Sequence, residues 1–84
     1  MPTICVLNGI TVTMYTDDHP PPHVHARYGG QQVVIDIQSG GIIQGRFPPA
    51  QLRQLLDWVQ RRRQELLADW NLAQQGLPPT RIAP

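Results

Sequence analysis

Apolar and polar residues alternate in short runs through the first half of the chain, and turn residues separate the runs. Residues 3–7 and 10–15 flank Asn8-Gly9, the strongest short-range signal for a two-residue hairpin, because both positions tolerate positive φ. Ile10, Val12 and Met14 alternate with Thr11, Thr13 and Tyr15, the pattern of a half-buried strand. The run Asp17-Asp18-His19-Pro20-Pro21-Pro22 then breaks the alternation, since prolines cannot donate to a ladder and favour a stiff, extended loop. After it come residues 23–28, the turn Gly29-Gly30 and residues 31–38. Counting outward from a two-residue loop pairs Ala26 with Val33 and Val24 with Ile35. On the opposite face it pairs Arg27 with Gln32, His25 with Val34 and His23 with Asp36. Around Ser39-Gly40-Gly41 a three-residue loop would set Ile37 against Ile43, and a two-residue loop would mix the faces. The first predicts a core face of Val24, Ala26, Val33, Ile35, Ile37, Ile43 and Phe47.

From Pro49 the period changes to 3.6. Pro49 suits a first helical position and Gly76 the position just past a helix end. Leu52, Leu55, Leu56, Val59, Leu66, Leu67, Trp70 and Ala73 form one stripe, which would cover the apolar face of the sheet. A helix of about 26 residues spans roughly 39 Å, against about 20 Å for a six-residue strand. The helix must therefore bend near Asp69-Trp70-Asn71 or overhang, and a partner subunit would cover the overhang. The expected fold is α+β: about five short antiparallel strands in hairpins, packed on one long C-terminal helix. Residues 1–75 would form the single domain. Residues 76–84 would form a Pro-rich tail that Leu77 and Ile82 pin back to the body.

Composition narrows the classes. The 84 residues hold 40% hydrophobic and 15% charged side chains, a globular balance rather than that of a disordered tail. The formal charge of +1 gives no large field to steer nucleic acid, and all seven basic residues are arginine. A single cysteine, Cys5, excludes an internal disulfide and fits a reducing compartment, where it packs as a small hydrophobe. No signal-like or membrane-spanning run is visible, so the expected location is the cytoplasm.

One constellation carries chemistry. On a strand, His23 and His25 project from the same face about 6–7 Å apart, close enough to converge on one ion or one substrate group. Asp36, opposite His23, is placed to orient its ring, and the proline run can fold His19, Asp17 or Asp18 over the pair. Three readings follow. His23, His25 and a third ligand from His19 or an aspartate would hold a divalent metal such as zinc. Without metal, the two histidines with Arg27 or Arg46 would serve as acid, base and phosphate clamp of a phosphodiesterase or small ribonuclease. The plainest reading is a polar strand face whose rings pack on Tyr28, Tyr15 or the prolines.

The helix holds two further candidates. Arg63 falls within the apolar stripe. It either snorkels to water, the commoner behaviour, or reaches a sheet edge to meet a carboxylate or an anion. Trp58 lies about 120° from the stripe centre. It is either an exposed contact anchor or a cover for a sheet edge or the tail. Arg61 and Arg62 are spaced to pair with Glu65 on a solvated face. No Walker loop, Gly-x-Gly-x-x-Gly or Gly-x-Ser-x-Gly occurs.

Met1-Pro2-Thr3-Ile4, the segment Asp18-His19-x-Pro21-Pro22-His23-Val24-His25-Ala26-x-Tyr28-Gly29, and Gly45-x-x-Pro48 resemble a family of small bacterial proteins, the domain of unknown function 4160 family. Leu52, Trp58, Glu65-Leu66-Leu67 and Trp70 extend the resemblance to roughly residues 1–75. It marks Asp18, His19, His23 and His25 as family-motif positions without a catalytic role. Gln38-Ser39-Gly40-Gly41 stands in place of a more acidic turn. Such proteins are thought to be encoded beside, or fused to, another small domain, an arrangement that implies a toxin–antitoxin-type pair. The leading expectation is thus a small binding or regulatory module that works with a small partner protein or as a homodimer. The alternative is a histidine-dependent phosphodiesterase or ribonuclease, metal-assisted or metal-free. Nucleic acid as a partner has little support in the sequence, and a membrane has none.

Overall fold

The computed structural model describes residues 2–84; Met1, the first residue of the family-like opening, lies outside the described residues. Five strands form one antiparallel sheet in the order β1-β2-β3-β4-β5. They are β1 (Thr3–Leu7), β2 (Ile10–Thr13), β3 (His23–Tyr28), β4 (Gln31–Asp36) and β5 (Ile42–Gly45). Two helices follow, α1 (Pro49–Arg61) and α2 (Arg63–Gln74).

The first two hairpins have, next to their turns, the register that those turns dictate, and β1 shifts by one residue between Cys5 and Thr3. Leu7 faces Ile10 across Asn8-Gly9, whose φ values are 48° and 83°. Tyr28 faces Gln31 across Gly29-Gly30, and His23, Val24, His25, Ala26 and Arg27 face Asp36, Ile35, Val34, Val33 and Gln32. One face of the sheet is therefore fully apolar: Ile10, Val12, Met14, Val24, Ala26, Val33 and Ile35 are all buried.

The third hairpin departs from the expected register. Ile43 was expected opposite Ile37 in the core; instead Ile42 faces Ile35, Gln44 faces Val34, and Ile42 and Ile43 are each 49% exposed. The turn itself is the cause. The Asp36 carboxylate accepts from the backbone N–H groups of Gln38 and Ser39, and Gly40 N–H donates to the Asp36 carbonyl. This local closure lengthens the loop and takes Ile37 out of the ladder into the core. Its N–H then donates to the Pro22 carbonyl. A register shift between Val34 and Ile35 absorbs the difference. Gly45 ends β5 at φ 92°, where a Cβ would run into the Gln32 carbonyl.

The single long helix expected from the sequence is two helices. The chain breaks at Arg62 (φ −107°, ψ 17°) and not near Asp69-Trp70-Asn71, and both halves bury residues. The buried stripe runs through Leu55, Trp58, Val59, Leu66, Asp69, Trp70 and Ala73. Leu52, Leu56 and Leu67 lie on its flank, only partly buried. Their apolarity displaces the apparent centre of the stripe and makes Trp58 look peripheral.

Trp58 is completely buried, so it is neither an exposed anchor nor outside the core. The tail makes this possible. Trp58 Nε1 donates to the Ala83 carbonyl at 2.8 Å, and the Thr80 N–H and hydroxyl both donate to the buried Asp69 Oδ1. Ile82 is buried and its N–H donates to the Ile4 carbonyl on β1, while Leu77 stays exposed. Gly76, at φ 76°, closes α2: its N–H reaches the Ala73 carbonyl and the Leu77 N–H the Leu72 carbonyl. Among the described residues, no helix is long and apolar enough to cross a membrane.

Candidate metal centre

The loop between β2 and β3 carries Asp18 onto the strand that carries the histidines. Asp17 sits at φ 57°, and its N–H donates to the Ala73 carbonyl at the end of α2. The Gln74 side-chain amide donates to the Asp18 carbonyl at 2.8 Å. These two bonds tie the loop to the helix layer. The Asp18 carboxylate then faces the first turn of β3.

Three side chains converge. Asp18 Oδ2 lies 2.9 Å from His23 Nε2 and 3.3 Å from His25 Nε2, and one ligand atom from each residue lies within 4.8 Å of the other two. A tetrahedral ion with bonds of about 2.0–2.2 Å sets its ligand atoms about 3.3–3.6 Å apart. The two distances from Asp18 Oδ2, 2.9 and 3.3 Å, lie within a few tenths of an ångström of that spacing. Side-chain exposure grades outward, from 10% at His23 to 25% at Asp18 and 31% at His25, so the cluster is walled on one side and open on the other.

The ring of His23 is fixed by its surroundings. Its Nδ1 lies 2.7 Å from the Pro21 carbonyl, which can only accept, so Nδ1 carries a proton. In a neutral ring Nε2 then presents a lone pair, and that lone pair faces a carboxylate oxygen. The contact is favourable only if the ring is protonated or a cation stands between the two groups. A histidine whose distal N–H is held by a backbone carbonyl while its other nitrogen faces a carboxylate and a second imidazole is arranged as metal ligands are. Trp70 packs on His23 with ring centroids 5.1 Å apart, and Tyr15 meets His25 edge-on at 4.6 Å.

Burial pushes the Asp18 carboxyl up. The His19 N–H and the hydrogen bonds from His25 and His23, with the charge on His23, outweigh it and hold the group below the usual carboxylate range. Asp18 is therefore ionised at neutral pH. Cys5 is pushed up by burial, partly offset by Arg81 and Arg62, and is an inert thiol rather than a ligand.

The remaining candidates lie elsewhere. His19 is exposed and gives the cluster only its backbone N–H, which donates to Asp18 Oδ1 at 2.9 Å, so Asp18 takes the place considered for His19. Asp36 faces His23 in the register, but its carboxylate caps the following turn and does not orient the ring. Arg46 is exposed just beyond β5. Arg63 neither snorkels free nor meets a carboxylate; its Nε–H donates to the Ile37 carbonyl at 3.0 Å and braces the third turn. Arg61 pairs with Asp57 rather than Glu65, and Arg62 pairs with Glu65. The supporting groups Pro21 and Gln74 had no sequence signal, because each acts through a contact that only the folded loop creates.

A family model described as Domain of unknown function (DUF4160) matches residues 9–71. No curated protein and no solved structure matches the chain.

Proposed function

The chain belongs to that family, and for this member we propose that Asp18, His23 and His25 form a binding centre for a divalent transition metal, zinc by preference. The observation that supports it most is the convergence of Asp18 Oδ2 with His23 Nε2 and His25 Nε2, with the His23 ring held through Nδ1 by the Pro21 carbonyl. Two imidazoles and one carboxylate suit zinc. Three protein ligands leave a fourth position for water, as in catalytic rather than structural sites. A bound ion would lower the pKa of that water to near 7 and supply a nucleophile for hydrolysis.

Zinc titrated calorimetrically into chelator-treated protein should bind one equivalent. His23→Ala, His25→Ala and Asp18→Asn should each weaken binding at least tenfold while circular dichroism stays native. Absence of binding at millimolar zinc, or undiminished binding in the His23→Ala/His25→Ala protein, would remove the proposal.

A second reading keeps the partner protein, and the β5 edge favours it. Buried Trp58 and the folded-back tail take away the helix-borne arguments for a partner. The tail covers the β1 edge through Ile82. At β5 all four residues are exposed and none is charged, the kind of edge that natural sheets seldom leave bare. An uncharged edge is self-complementary about a two-fold axis, so we propose a second copy of this chain as its occupant. A small partner of the toxin–antitoxin type would compete for the same edge. Light scattering of the purified protein should give the dimer mass, and Ile43→Lys the monomer mass; a monomeric wild type would rule out the dimer.

A further inference from the structure

Beside the metal centre, on the face of the sheet away from the helices, lies an open recess of about 270 Å³ lined by His25, Gln32, Val33, Val34, Gln44 and Gly45. His25 belongs both to its wall and to the ligand set, so a group seated there lies next to the ion. The volume admits a small group and not a whole organic cofactor. Two arginines bracket Gln32. Arg27 is its cross-strand neighbour on β3, and the Arg46 backbone N–H donates to the Gln32 carbonyl from the β5 side. Both arginines are exposed, and neither forms an ion pair with an acid among the described residues. The acid nearest in register, Asp36, is engaged with the Gln38 and Ser39 amides.

The charges give the sign of the ligand. A divalent ion beside one ionised carboxylate and neutral imidazoles leaves a local charge of about +1, and Arg27 and Arg46 add to it. Planar guanidinium groups pair with phosphate oxygens through two parallel N–H donors, which an isolated surface ammonium does not. We infer that this recess is the ligand site of the metal centre and takes a phosphodiester, with Arg27 and Arg46 holding its anionic oxygens. The inference rests on the metal reading and extends it to a ligand class. Neither arginine is a metal ligand, which makes the two claims separable.

Cobalt in place of zinc gives a visible absorption band that reports both events. The cobalt-loaded protein would be titrated with a uridine dinucleotide as probe, and with sulfate as an anion control. The dinucleotide should change the band and saturate, with sulfate weaker. Arg27→Gln/Arg46→Gln should bind cobalt as wild type does and the dinucleotide at least ~10-fold more weakly. Val34→Phe, which fills the recess, should act in the same direction with cobalt binding unchanged. If wild type shows no cobalt band, the metal reading fails and the inference falls with it. If cobalt binds but the dinucleotide does not, or binds all three proteins alike, the recess is not a phosphodiester site and the metal reading stands.

Discussion

Asp18 joins the loop to β3 and supplies the negative charge at the cluster, so its protonation governs both. Its carboxyl is held below the usual range in the fold by the His19 N–H and the two histidines. A group with a depressed folded pKa contributes stability that is present above its unfolded value, about 3.9, and is lost as pH falls through the folded value. In chelator-treated protein the melting temperature of Asp18→Asn should therefore lie furthest below wild type near neutral pH. The gap should close as both are taken to pH values below that unfolded value; a gap that is constant with pH would mean that Asp18 ionisation does not stabilise the fold. Trp58 offers a second test at this scale. Trp58→Phe keeps a ring in the core but leaves the Ala83 carbonyl without its donor. The expected loss is about 1–2 kcal/mol, or about 4–8 °C in melting temperature per kcal/mol.

Among the elements, β5 is the one whose placement depends most on a single residue. At Gly45 an alanine meets both a positive φ and the Gln32 carbonyl, whereas at Gly29, also at positive φ, a Cβ meets nothing within 4 Å. Gly29→Ala should cost about 1 kcal/mol from backbone strain alone, and Gly45→Ala about 2–3 kcal/mol or more. Denaturant melts of the two variants compare them directly, and equal losses would mean that β4 and β5 do not approach as described. The same elements show what the sequence could convey. Asn8-Gly9 and Gly29-Gly30 admit one short loop each, so counting outward fixes the registers and sets His23 and His25 on the same strand, two residues apart. Around Ser39-Gly40-Gly41 the outcome depends on the Asp36 carboxylate capping two amides, and a count of apolar positions cannot see that competition. In the helices, the stripe is legible but its centre is not, because the extended tail covers the Trp58–Asp69 flank. Of the site, the two histidines are legible from period 2. The choice of Asp18 over His19 is not, because it follows from the path of a loop anchored by Gln74.

Over the whole molecule, two layers share one core, and the tail closes it. Removing residues 78–84 would uncover the Trp58–Asp69 flank and the β1 edge and take away the Ala83 and Thr80 partners of Trp58 and Asp69. Loss of Ile82 burial, two neutral hydrogen bonds and the two charge-assisted bonds to Asp69 sums to about 5–12 kcal/mol, comparable to the total stability of a small domain. A chain ending at Leu77 should be largely unfolded or aggregated at 37 °C, as thermal melts would show; a melting temperature within a few degrees of the full chain would contradict this closure. The core and the site are linked, since α2 holds the Asp18 loop through Ala73 and Gln74 and packs Trp70 against His23. The most direct test of the central claim is crystallographic: an anomalous difference map of zinc-soaked crystals, collected on both sides of the zinc edge. One strong peak is expected about 2.0–2.2 Å from His23 Nε2, His25 Nε2 and an Asp18 carboxylate oxygen. A peak at His19 or elsewhere, or no peak at these three residues at full zinc saturation, would contradict it.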